Sequence, residues 1–142
     1  MIDLHGGLAS RRELLESGVD PDMIDVSAWY GRRVVRVRKG WYARAGEHPD
    51  VIRAWRVGGR LTCVSALALH TDARPQPVLH IEVPASTARL RDPEDRRRSL
   101  PPGAPVVVHW ARRPGPGDRR AVGLEHALRV ATVCGTRSGS AG

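Results

Sequence analysis

Cysteine is scarce in this 142-residue chain: Cys63 and Cys134 lie far apart, and no Cys-x-x-Cys pair exists. Such spacing indicates neither a disulfide scaffold nor a zinc finger, and both thiols, set in apolar helical patterns, are expected to be buried. The N-terminus has no secretory apolar region and no apolar run reaches the length of a membrane span, so a cytoplasmic protein without a membrane partner is expected. Lysine is scarcer still, since Lys39 is the one non-arginine among 23 basic residues. Against 15 acids these leave a formal charge of +8 and a pI near 11.1. Arginine presents a planar fork of donors that matches phosphate and guanine edges, so the balance points to nucleic acid or another polyanion. A high-GC genome enriches arginine too, and the argument therefore rests on where the charges cluster.

Catalytic apparatus is also missing. Ser65 lacks the glycine pattern of a nucleophile elbow, Cys63 has no adjacent base, and the glycines form no strand-loop-helix phosphate motif. His80 and Glu82 share one face of a strand and His109 lies near the end of another, so a metal or acid/base site would need three groups to converge. No second carboxylate is nearby in sequence, and solvated polar residues on a sheet face are the commoner arrangement. No enzyme activity, metal or other cofactor is expected.

What is present centres on Arg32 to Arg44. Val35 and Val37 alternate with Arg36 and Arg38, the period-two pattern of a strand with one apolar and one cationic face. Lys39-Gly40 interrupts the run and Trp41-Tyr42-Ala43 resumes it, which predicts a tight hairpin with glycine where positive φ is cheapest. From Gly31 to Arg60 nine basic residues stand against Glu47 and Asp50, whereas before Gly31 Arg11 and Arg12 face six acids. The charge is concentrated at and just after the hairpin.

Upstream, Ile2 and Leu4 could form an extended edge segment against the hairpin. Ser10 with Glu13 has capping-box spacing, and the helix it opens ends at Gly18. Asp20-Pro21 starts a second helix that runs to Tyr30. Helix, helix and basic hairpin is the order of a winged helix-turn-helix, whose second helix enters the major groove. Asp22 and Asp25 on that helix repel phosphate, leaving Ser27, Trp29, Arg32 and Arg33 as better contacts there. Arg11 and Arg12 open the preceding helix, either kept for a partner or simply solvated. The candidate DNA contacts are therefore Arg11, Arg12, Ser27, Trp29, Arg32, Arg33, Arg36, Arg38, Lys39 and Arg44.

Downstream, helices are expected from His48-Pro49-Asp50 to Gly58 and from Thr62 to His70, strands over 78–83 and 106–110, and a last helix over 124–134. The stretch 85–104, with Arg96-Arg97-Arg98 and several prolines, reads as an exposed crossing, ordered or not. Trp29, Trp41, Trp55 and Trp110 are more naturally core residues than nucleobase platforms, Trp41 being the least settled. Trp55 and the 63–69 helix should pack between hairpin and sheet. The expected class is α+β: a winged helix-turn-helix over 1–46, a small α+β companion with a short mixed or antiparallel sheet over 47–135, and a flexible tail over 136–142.

The succession Gly7-Leu-Ala-Ser-Arg-Arg-Glu-Leu-Leu, Gly18-Val, and Val35-Arg-Val-Arg-Lys-Gly-Trp-Tyr-Ala resembles the N-terminal winged-helix domain of the AbiEi family of type IV antitoxins. Gly58 to Leu67, Leu79-His80-Ile-Glu-Val-Pro and Val107-Val108-His109-Trp110 are similar to the middle region of actinobacterial proteins that begin with this domain. The resemblance implies a transcriptional autorepressor that binds operator DNA. Many such proteins continue into an endonuclease domain like that of very-short-patch repair; the sequence stops where it would begin, so nuclease activity is not expected. A sequence-preferring regulator binding double-stranded DNA, antitoxin-like or phage-borne, is the leading expectation. The alternatives are a module acting through a protein partner or homodimer, and a truncated nuclease remnant.

Overall fold

The computed structural model describes residues 6–30, 34–74 and 77–141, with the side chains of 26–30 and 135–141 outside that description. The first unit runs β1 (Leu8–Ser10), α1 (Arg11–Glu16), α2 (Pro21–Tyr30), β2 (Val34–Arg38) and β3 (Trp41–Arg44). The second runs α3 (Pro49–Val57), β4 (Arg60–Leu61), α4 (Cys63–His70), β5 (Leu79–Pro84), β6 (Val106–Ala111) and α5 (Leu124–Ala141). The chain is thus mixed α+β, with two three-stranded sheets ordered β1-β3-β2 and β4-β5-β6.

Local chemistry explains most of the boundaries. Ser10 Oγ accepts the Glu13 N–H at 3.1 Å while Glu13 accepts the Ser10 N–H at 2.9 Å, a reciprocal capping box that satisfies two otherwise orphaned donors of α1. Asp20 caps α2 by accepting the Asp22 N–H at 2.8 Å. His48 does the same for α3 through Nδ1, 3.1 Å from the Asp50 nitrogen. Gly40, at φ +76°, closes the hairpin in a conformation that L-residues avoid.

Several expectations need correction. Ile2 and Leu4 lie outside the described residues, and the strand added to the hairpin is Leu8–Ser10, antiparallel to β3. The alternation in β2 is broken: Arg36 pairs with Tyr42 and Arg38 with Trp41, leaving Val37 as an extra residue in a bulge. Buried positions are consequently Val34 and Val37, with Val35 half-buried. The 85–104 crossing is packed, because Leu90 and Leu100 reach the core and Asp92 and Asp95 each accept a backbone N–H two residues on. Helix α5 continues past Gly135 to Ala141 where a tail was expected.

One apolar cluster joins the two units: Leu8, Val37 and Ala43 from the first with Val51, Val57, Leu61, Leu79, Ile81 and Val83 from the second. A smaller cluster of Ala9, Leu14, Ile24, Val34 and Tyr42 holds α1 and α2 to their sheet. Helix α3 contacts β2, β4 and β5, and Trp55 stacks on Trp41 with ring centroids 4.7 Å apart. Helix α4, expected with Trp55 between hairpin and sheet, packs on β5 of the second sheet and on α5. The second sheet is mixed, β4 antiparallel and β6 parallel to β5. Among the described residues no helix is long and apolar enough to cross a membrane.

Candidate nucleic-acid interface

The expected contact residues divide into three groups. Arg36, Arg38 and Lys39 line one cavity of about 650 Å³. Arg11, Arg12 and Arg44 are engaged elsewhere: Arg11 donates to Asp25 at 2.7 Å, Arg12 meets Glu16 at 3.1 Å, and Arg44 stands 3.6 Å from Glu47. The Asp25 bond raises the already high pKa of Arg11 and places the acid that was expected to repel phosphate against a cation of the chain itself. The side chains of Ser27 and Trp29, together with Arg32 and Arg33, lie outside the described residues.

The cavity sits beside β2, the strand at the end of the first sheet among the described residues. Its opposite wall comes from the 85–104 crossing, with Arg89, Arg91, Arg96 and Arg97 facing Arg36, Arg38 and Lys39 across it. Thr87 and Ala88 also line it, so among the described residues seven of nine lining residues are basic and none is acidic. The bulge at Val37 matters to this arrangement. In an unbroken strand Arg36 and Arg38 would share a face with one register; here they pair with neighbouring residues of β3 and both reach the cavity.

The cavity's cations are only sparsely neutralised. Among the described residues, no carboxylate lies within ion-pair distance of Arg36, Arg38, Lys39, Arg89 or Arg91. Asp95, at the rim, stands 3.7 Å from Arg97. Burial and then the neighbouring Arg91 lower the pKa of Arg38; burial and then Arg36 and Arg97 lower that of Arg96. Arg36 Nε is buried with no hydrogen-bond partner among the described residues. A polar donor in that state costs free energy until an acceptor arrives.

Three acids elsewhere are paired with other arginines. Glu13 receives both guanidinium nitrogens of Arg119, at 2.7 and 2.6 Å, and this fork holds its carboxyl at about 2, below the usual range. Glu47, buried, accepts from Arg120 at 2.8 Å. Glu82, buried in β5, is 2.9 Å from Arg60, whose guanidinium also donates to the Gly115 carbonyl. Glu82 is therefore held as an ion-pair partner and is not available to join His80 and His109 as a third ligand.

The two histidines do converge, with other company. His80 on β5 and His109 on β6 place ring nitrogens 3.1 Å apart, and Cys63 at the start of α4 and Cys134 on α5 complete a group whose ligand atoms all lie within 4.8 Å of one another. Cys134 is half-buried, where burial was expected; Cys63 is buried, and burial pushes its thiol up to about 11. Burial and His109 together lower the pKa of His80. The aromatic expectations hold for Trp41 and Trp55, which pack against the core, and fail for Trp110, which is 55% exposed on the edge strand β6.

Sequence reasoning found the hairpin half of the cavity and missed Arg89 and Arg91 entirely. Their only sequence signal is arginine density in a stretch that carries no strand or helix period. Comparison with models of known protein families matches none of them, and comparison with curated proteins likewise gives no match.

Proposed function

We propose that this chain binds double-stranded DNA through its phosphate backbone at the cationic cavity between β2 and the 85–104 crossing, and that it acts as a sequence-preferring transcriptional repressor. The observation that carries this reading is the grouping of seven basic residues around one cavity with no acid among its described lining residues. Like charges so placed repel in the isolated protein, and phosphates crossing the cavity mouth relieve that repulsion while releasing their own counterions. Arginine forks suit phosphate oxygens, and Arg36 Nε is a buried donor without an acceptor among the described residues.

The order β1-α1-α2-β2-β3 supports reading the first unit as a winged helix-turn-helix, with the bulged β2–β3 hairpin as wing and α2 as the groove helix. Pairing of Asp25 with Arg11 reduces the repulsion that α2 would otherwise present to phosphate. The resemblance to antitoxin autorepressors points to the same role, in a cytoplasmic setting and with no hydrolytic step. A gel shift with duplex from the promoter adjoining the gene tests the reading. Retardation that survives unrelated competitor DNA supports a sequence-preferring regulator; no retardation at low salt overturns DNA binding.

A further inference from the structure

We propose that Cys63, His80, His109 and Cys134 form a closed tetrahedral zinc site that fastens the second unit together. Each residue offers one ligand atom, and all four atoms lie within 4.8 Å of one another. In tetrahedral zinc sites, Zn–N of about 2.0–2.1 Å and Zn–S of about 2.3 Å put two nitrogens about 3.3 Å apart and a nitrogen and a sulfur about 3.6 Å apart. The chain places His80 Nδ1 3.1 Å from His109 Nε2 and 3.8 Å from Cys134 Sγ. Both separations are within a few tenths of an ångström of the zinc geometry.

A hydrogen-bond network uses such atoms in pairs, with one proton between two ring nitrogens. A single dication engages all four lone pairs at once. Two thiolates and two neutral imidazoles are the donor set that selects zinc over the harder cations, and four protein ligands leave no open position for a reactive water. Loading is a proton exchange with no electron transfer: Zn²⁺ replaces the two thiol protons, which pass to solvent, and the occupied site is neutral. A neutral site suits a half-buried position better than a bare dication or two thiolates would.

The location gives the site a purpose. Its ligands come from four different elements, α4, β5, β6 and α5. Strand β6 is at the edge of its sheet and pairs with β5 alone among the described strands, and α5 packs on α4 while leaving Leu124, Leu128 and Val133 substantially exposed. A metal joining β6 and α5 to α4 and β5 would add a cross-link among four elements otherwise held by packing and hydrogen bonds alone. Cys63 adopts φ +53°, a left-handed conformation that L-residues seldom take. Ser65, one turn into α4, accepts the His80 N–H at 2.9 Å and so holds α4 against the strand that carries a ligand.

The test uses the full chain, purified under reducing conditions from zinc-supplemented medium. Elemental analysis should find stoichiometric zinc, and a chelator should lower the melting temperature. Titrating the chelated protein with Co²⁺ alone should give the intense visible bands of tetrahedral cobalt and sulfur-to-cobalt charge transfer, with two protons released per metal. Because Cys63 is buried and its replacement could unfold the chain, the variants are Cys134→Ser and His109→Gln, each checked for retained circular dichroism. Either should weaken Co²⁺ binding by more than about 100-fold, the upper range for losing a merely supporting residue. Substoichiometric zinc with weak, octahedral cobalt spectra would overturn the proposal, as would a Cys63–Cys134 disulfide in the purified chain or undiminished affinity in both folded variants.

Discussion

Replacing Trp55 with alanine tests whether the two units fold as one. The indole lies against Trp41 of the hairpin at 4.7 Å and its Nε1 donates to the Arg119 carbonyl at 2.7 Å, so one side chain ties α3 to β3 and to the loop before α5. Arg119 in turn stands 5.3 Å from the Trp41 ring and forks onto Glu13 of α1. Removing a buried aromatic costs about 3–5 kcal/mol, and since Trp55 is only partly buried the lower end, about 3 kcal/mol, is expected. Of this, the aromatic pair accounts for about 1 kcal/mol and the lost bond to Arg119 for a similar amount. Trp55→Phe, which keeps a ring but not the donor, should cost about 1 kcal/mol. Urea unfolding followed by both fluorescence and circular dichroism should show one coincident transition in each variant, shifted to lower midpoint. A loss below about 1 kcal/mol for the alanine, or two resolved transitions in the parent chain, would refute the reasoning.

A fragment beginning at Glu47 lacks Leu8, Val37 and Ala43 from the shared core and should give a collapsed, poorly dispersed amide spectrum; a dispersed spectrum with a cooperative melt would show two independent domains. The depressed Glu13 pKa, about 2 folded against 4.5 unfolded, means its stabilisation is fully present above about pH 4.5 and is lost as pH falls toward 2. Glu13→Gln should flatten the melting temperature over that window, and an unchanged pH profile would count against the Arg119 fork. Glu82→Ala strands the Arg60 guanidinium in a nearly buried site and should destabilise by about 3–5 kcal/mol by chemical denaturation, the range for breaking a buried pair from one side. Supercoiled plasmid should stay intact with or without magnesium; nicking abolished by Glu82→Gln would show instead that the chain is a nuclease.

Much of the fold was legible because its signals are local. Ser10 with Glu13, Asp20 with Pro21, and Lys39-Gly40 each announce an element end within four residues of sequence. The failures share a cause in contacts made across the chain. Leu8–Ser10 and Arg60–Leu61 are too short to show a period, and exist as strands because β3 and β5 accept them. The bulge at Val37 is invisible in an alternating Val-Arg run, since nothing in that run says which valine is left unpaired. Asp92 and Asp95 order a proline-rich crossing through turns whose value depends on Leu90 and Leu100 finding the core.

The candidate sites divide in the same way. The hairpin cations stood out because they cluster in sequence, while Arg89 and Arg91 join them only through the path of the crossing. His80 and His109 were visible as residues on strand faces, but Glu82 looked like their partner only until Arg60 was placed beside it. Cys63 and Cys134, read separately as core thiols, meet because α4 packs against α5.

The most direct measurement of the central claim is the salt dependence of duplex DNA binding, by fluorescence anisotropy, for the parent chain and for an Arg36→Ala, Arg38→Ala, Lys39→Ala triple variant. If these cations each neutralise a phosphate, the slope of log K against log salt should flatten by about 2.7 in magnitude, and affinity should fall for every sequence alike. The variant should melt no lower than the parent, since three mutually repelling charges have been removed from a cavity with no acid among its described lining residues. An unchanged slope in a folded variant would show that DNA, if bound at all, is held somewhere else.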